Sequence, residues 1–171
     1  CSKKKPVNKK ILIFSGPTRE PIDPVRYLSN ASSGKMGKAL AEKSEALGFD
    51  TIFITGPVEK SNLPHGNRIH TIEILTARDM LEEGLKYFPE ADVVIFAAAV
   101  ADYAPKNFNS GKTASGLKNL TLELKNNPDI AATLGALKKP HQKTLGFALE
   151  TECQPEKIRN KMNKKNLDAI L

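Results

Sequence analysis

The 171-residue chain has no tryptophan, two cysteines and three histidines. Cys1 and Cys153 cannot make a disulfide framework, which suits a reducing compartment. His65, His70 and His141 lack metal-ligand spacing, and no Ser/His/Asp or Cys/His pattern stands out. Covalent catalysis by a side chain is therefore not expected. No apolar run is long enough to span a membrane, and no signal-peptide pattern is visible. These absences point to a cytoplasmic location. Aromatic residues make up only 6% and do not interleave with basic ones, which argues against nucleic-acid binding.

What is present is an excess of positive charge, with 26 Lys and Arg against 19 Asp and Glu, a formal net charge of +7. That balance suits an anionic ligand. The lysines are scattered at 3–5, 9–10, 138–139 and 164–165 rather than gathered into one patch. The length predicts one domain with a substantial core. Residues 1–9 read as a linker or tag remnant and 10–171 as the domain.

Apolar runs alternate with helical patterns. Strands are expected at 11–15, 51–55, 69–74, 93–97, 120–124, 144–148 and 169–171. Helices are expected at 34–47, 77–88, 128–138 and 155–165. This order predicts an α/β, Rossmann-like fold, a mostly parallel sheet with helices on both faces. Asn127, Pro128 and Asp129 read as a helix start, with Asn127 as the cap. The chain stops at Asp168-Ala-Ile-Leu171 just as a strand begins, so a further C-terminal piece is expected.

The informative loops follow strands, where ligands of such sheets bind. The first runs from Gly16 through Asn30 to Ser32-Ser-Gly34-Lys-Met-Gly37. Gly/Ser turns at a helix start can cradle phosphate through backbone N–H groups. The dinucleotide fingerprint is incomplete, because no acid follows the second strand at Thr55-Gly56-Pro57. A Walker A loop would need glycine at 29 and Ser or Thr at 36, where Ser29 and Met36 stand. The second loop, Ala97-Ala-Ala-Val-Ala-Asp102-Tyr103, has small residues that let a flat ring lie on the backbone. Its Asp102 could hold Mg²⁺ bound to phosphates, or cap a turn. Lys112 lies in a polar loop. Lys161 and Lys165 share a helix face.

Five motifs occur in order: Gly16-Pro-Thr-Arg-Glu-Pro-Ile-Asp-Pro-Val-Arg-Tyr27, Ser29-Asn30-x-Ser32-Ser33-Gly34-Lys35-Met36-Gly37, Ala98-Ala-Val-Ala-Asp102-Tyr103, Asn127-Pro-Asp-Ile130 and Gly146-Phe147-Ala-Leu-Glu-Thr151. Together they resemble the phosphopantothenoylcysteine synthetase family, the ligase half of a bifunctional coenzyme A biosynthesis protein. The resemblance implies a homodimer that joins 4′-phosphopantothenate to L-cysteine with CTP and Mg²⁺. The reaction would pass through a phosphopantothenoyl-CMP intermediate, releasing pyrophosphate and CMP. A flavin-dependent decarboxylase would be fused in the full-length chain.

Matched residue by residue, the resemblance implies catalytic roles for Asn30 and Lys112. It implies nucleotide contacts for Gly16, Ser32, Gly34, Gly37, Ala98, Asp102, Asn127, Pro128, Asp129, Ile130, Phe147, Lys161 and Lys165, with Asp102 also at the metal. The family's Lys-x-Lys-Lys loop reads Lys112-Thr-Ala-Ser115 here, so only the first lysine matches. Two other readings remain: an NAD(P)-dependent reductase and a non-catalytic nucleotide-binding domain. The absence of a Tyr-x-x-x-Lys pair counts against the first.

Overall fold

The computed structural model describes residues 9–112, 119–148 and 155–171. Cys1 and Cys153 lie outside these residues, as do the last three residues of the fifth motif.

The fold is built around β1 (Lys10–Ser15), whose five residues after Lys10 are all buried. A run of Ile-Leu-Ile-Phe is apolar at every position, so it needs cover on both faces. It is paired in parallel with β4 (Asp50–Thr55) on one side and β6 (Val93–Phe96) on the other. β5 (Ile69–Glu73) joins β4, β9 (Lys143–Gly146) joins β6, and β10 (Ala169–Ile170) joins β9. The result is a six-stranded parallel sheet in the order β10-β9-β6-β1-β4-β5. This is the Rossmann-like α/β architecture expected from the alternating pattern.

Helix α1 (Lys35–Ala46) covers one face, over Ile11, Ile13, Phe53 and Ile95, with its Ala41 buried among them. Helices α2 (Ala77–Tyr87) and α3 (Ile130–Ala136) cover the other. There Leu12, Phe14, Ile54 and Val94 pack against Met80, Phe88, Ile130 and Leu134. Helix α2 begins with a complete capping box, Thr76 and Asp79 each holding the other's backbone N–H. Helix α4 (Pro155–Lys164) differs from the other three in having no buried residue.

Two small antiparallel hairpins stand apart from the sheet. β2 (Arg19–Pro21) pairs with β3 (Tyr27–Ser29), and β7 (Tyr103–Pro105) with β8 (Leu124–Asn126). The strand expected at 120–124 is therefore displaced. Its residues leave the main sheet, and Leu120, Leu122 and Leu124 are exposed rather than buried. Helix α3 is also shorter than expected and starts two residues later. Asp129, not Asn127, is its N-cap, accepting from Ala132 N. Asn127 is already committed elsewhere, donating its side-chain amide to the carbonyl of Ala101.

A polar clamp fixes the end of the chain. Asp168 accepts from Lys138 Nζ at 2.9 Å, Lys143 Nζ at 3.2 Å and Thr144 N at 2.8 Å. Burial works to raise its pKa, but these donors outweigh burial and hold the carboxyl well below the usual carboxylate range. A carboxyl with a lower pKa in the folded state stabilises the fold above its unfolded pKa. That stabilisation is lost as pH falls through the folded value. Asp168→Asn should cost about 2 kcal/mol near neutrality. In denaturant titrations from pH 7 to pH 2, the gap between wild type and variant should be constant down to about pH 5 and narrow progressively below about pH 4. A gap independent of pH would refute the assignment.

Candidate functional site

The sheet order reverses at β1. From it the chain runs outward through β4 to β5, then returns to add β6 on the opposite side. The loop leaving β1 is tied to the loop leaving β6, and a cleft opens beside the latter at the carboxyl ends of β6 and β9.

The loop after β1 is mostly scaffold. Thr18 is fully buried, and its Oγ1 accepts from Ala101 N at 3.0 Å. Its carbonyl accepts from Ser29 Oγ at 2.7 Å. Glu20, also buried, accepts from Ala77 N at 2.9 Å and so meets the positive end of α2. Asp23 builds the hairpin turn, accepting from Val25 N, Arg26 N and Arg26 Nη1. A parallel bridge between Pro17 and Ala99 ties the loop to the exit of β6. The motif that dominates the sequence thus places Asn30, whose Nδ2 donates to the carbonyl of Val100 at 2.9 Å.

The cleft has a volume of about 470 Å³. Its floor is the small-residue segment Ala97–Ala101, its far wall Asn127–Ile130, and its lip Phe147 with Lys161 and Lys165 of α4 and the turn after it. Asn30, Ala98, Asp102, Asn127, Pro128, Asp129, Ile130, Phe147, Lys161 and Lys165 are all brought together here. Lys165 Nζ meets Asp129 Oδ1 at 3.0 Å. Burial works to raise the pKa of Asp129, but the Ala132 N–H and the Lys165 ammonium outweigh it and hold it below the ordinary carboxylate value.

The Gly/Ser turn belongs to a second groove of about 610 Å³, between the first loop and residues 57–62. Ser32 and Ser33 line it, with Arg19, Tyr27 and Lys60. The Arg19 guanidinium lies over the Tyr27 ring, 4.6 Å from its centroid. Among the described residues, Asn30 is the one that lines both spaces.

Gly16, Gly34 and Gly37 do not line either space; they serve close packing. Gly34 has a φ of 74° and caps α1 without a side chain. A Cβ at Gly37 would sit 2.0 Å from Ser15 Oγ, so glycine is what lets α1 lie against β1. Lys112 is exposed and does not line the cleft. Thr18 and Glu20, which make the site possible, carried no assigned role in the sequence reading. The polar residues inside the Gly-Pro-Thr-Arg-Glu run were the available signal. Asp102 is exposed, and among the described residues no three His, Cys, Asp or Glu side chains gather where they could hold a metal ion.

Comparison with known proteins gives a family. Residues 7–171 match the model of the DNA/pantothenate metabolism flavoprotein C-terminal domain. A protein named cysteine/cysteine sulfinic acid decarboxylase, from an unknown prokaryotic organism, is 42% identical over 98% of this chain and 46% of its own length. The coenzyme A biosynthesis bifunctional protein CoaBC of Borreliella burgdorferi is 42% identical over 96% of this chain and 42% of its own. The chain thus spans less than half the length of these curated relatives. The crystal structure of the C-terminal domain of a coenzyme A biosynthesis bifunctional protein CoaBC superposes with a TM-score of 0.82 at 42% identity. That match covers 95% of this chain and 75% of the other.

These findings correct the reading of the chain as a synthetase. The family is described as a flavoprotein's, and one relative is named a decarboxylase. None of these four descriptions names a ligase, CTP or magnesium. The ligase activity, CTP, Mg²⁺ and the metal role of Asp102 are withdrawn, and with them the two alternative readings. Among the described residues, no helix is long and apolar enough to cross a membrane.

Thr18→Val tests the scaffold. It keeps the side chain's shape and leaves Ala101 N–H buried without its acceptor, so it should cost about 1–3 kcal/mol. Amide exchange at 99–102 should accelerate more than exchange in β4. Uniform acceleration would mean that Thr18 is merely part of the core.

Proposed function

This chain belongs to the family of DNA/pantothenate metabolism flavoprotein C-terminal domains, and on that footing we propose that it serves as the C-terminal domain of a longer, flavin-containing enzyme of coenzyme A biosynthesis. Its own cleft, in this reading, receives a mononucleotide, a flat ring joined to a phosphate. The carrying observation is the small-residue floor at Ala97–Ala101 facing two lysines across a space of about 470 Å³.

Size and charge both fit. Ala97, Ala98 and Ala99 are half-buried, and their small side chains leave room for a ring to lie against the backbone. Lys161 and Lys165 supply positive charge for a phosphate. Asn30 and Asn127 are uncharged amides already oriented by backbone carbonyls at 2.9 and 2.8 Å, which fixes the floor they hold. These residues would hold flavin mononucleotide in the same manner, and a bound flavin would supply two-electron redox chemistry. Within the longer enzyme, this chain's part in the reaction is to bind and orient the reacting group. The exposed Tyr27, Tyr103, Leu122 and Leu124 on the two hairpins are the surface a homodimer would cover.

Calorimetric titration of the chain with FMN, AMP and CMP tests this. At least one should bind saturably at one per chain. The double variant Lys161→Gln/Lys165→Gln should weaken it at least tenfold, about 1.4 kcal/mol. Preference for FMN would place the flavin in this cleft; preference for another ring would place it in the rest of the longer protein. No binding of any of the three at millimolar concentration would overturn the proposal.

A further inference from the structure

Ala101, at the end of the cleft floor, is gripped from two directions. Thr18, in the loop after β1, accepts its N–H at 3.0 Å. Asn127, in the far wall, donates Nδ2 to its carbonyl at 2.8 Å. Because a carbonyl only accepts, the Asn127 amide has one orientation. A second bond runs beside the first, from Asn127 N to the carbonyl of Asp102 at 2.8 Å. A single hydrogen bond leaves two segments free to turn about it, and two adjacent ones fix their mutual orientation. Pro128 stiffens the wall side, since a residue that precedes proline is pushed to extended backbone.

The wall leads directly into α3, whose N-cap is Asp129. Ile130 and Leu134 anchor this helix in the core. It also carries Lys165. At the start of the helix, Lys165 Nζ meets Asp129 Oδ1 at 3.0 Å. Near its end, a Cβ on Gly135 would come within 2.1 Å of the Lys165 carbonyl oxygen, so the Lys165 backbone lies against the helix there. The next residue, Asn166, donates Nδ2 to the carbonyl of Gly135 at 2.8 Å. Lys165 is thus seated on both ends of α3, a helix of seven residues and about 10 Å.

We propose that Asn127 is a positioning residue that registers the cleft floor to α3, and so sets the spacing between the surface where a ring lies and the lysine that meets its phosphate. The connection runs from Ala101 and Asp102 through Asn127 to α3, and from α3 to Lys165. Each link is a printed contact of backbone or of a short side chain until the lysine itself. The Asn127 amide nitrogen is committed to Ala101, so its role is to place the floor. A ring and a phosphate joined by a short linker can engage both surfaces at once only if that spacing holds to within a fraction of an ångström to about 1 Å. The ligand spacing rests on the mononucleotide reading; the registration of the floor to α3 does not.

Asn127→Ala and Asn127→Ser both remove the donor to Ala101, and the serine variant keeps a polar side chain should alanine fold poorly. Hydrogen–deuterium exchange on the whole ligand-free chain reads the registration. In either variant, amides at 100–103 should exchange about fivefold faster or more, with 130–136 in α3 and 80–87 in α2 unchanged. No acceleration at 100–103, or equal acceleration in α3 and α2, would overturn the registration. Calorimetric titration with FMN, AMP and CMP reads the spacing. For a ligand that binds the unaltered chain, either variant should weaken binding about fivefold or more. Lys165→Gln should weaken the unaltered chain about threefold or more, yet weaken the Asn127 variant less than about twofold further. Two effects that simply multiply would make Asn127 a structural residue independent of Lys165 and overturn the spacing. If none of the three ligands binds while exchange behaves as expected, the mononucleotide reading fails and the registration stands.

Discussion

Thr18 joins the two loops from which the cleft is made. Its hydroxyl oxygen takes the N–H of Ala101, and its carbonyl takes the hydroxyl of Ser29. The first bond fixes the exit of β6 and the second fixes the exit of β3. Asn30 follows Ser29 directly, so its reach to Val100 is decided by the same residue. The buried site offers no water to replace a lost partner, which is why one hydroxyl can govern the geometry. The floor of the cleft is in effect a backbone surface held flat from beneath by side chains of another loop.

The rest of the architecture supplies rigidity to that arrangement. The parallel sheet is buried on both faces, and Phe14 and Phe96 stack at 5.2 Å where β1 and β6 end. Gln142, almost wholly buried, donates to the carbonyls of Phe88 and Ala91 and closes the base between α2 and β9. The C-terminal part is held by charge and hydrogen bonds instead of by apolar packing. Apolar packing near the floor and polar anchoring at the lip are thus separated along the chain.

Most of the sheet could be read from the residues. The apolar runs at β1, β4 and β6 announce strands buried on both faces, and the helical pattern at 77–88 announces α2. The two hairpins were not legible, because strands of three residues such as Arg19-Glu-Pro21 show no alternation to detect. Leu120, Leu122 and Leu124 alternate like a strand, yet they lie outside the sheet, where local pattern cannot report which neighbour is available. The helix start at 127–130 was misplaced by two residues because a tertiary partner, Ala101, had already claimed Asn127. At the site, the motifs located the cleft residues, but they could not separate glycines that line a space from glycines that allow packing. Gly37 looked like part of a phosphate turn and is a contact with Ser15. The family resemblance also carried a reaction, and the family comparison replaced it.

The order of the strands bears on how the chain is made. β1 is completed by residue 15, but one of its edges has no partner until Val93–Phe96 has been synthesised. At about 5–20 residues per second, a ribosome would leave that edge open for several seconds. The exposed segment is Ile-Leu-Ile-Phe, flat, apolar and ready to pair with any other strand. Lys9 and Lys10 stand directly before it, and charges in that position deter pairing between nascent chains. The central strand of the finished protein is therefore the most vulnerable segment of the unfinished one.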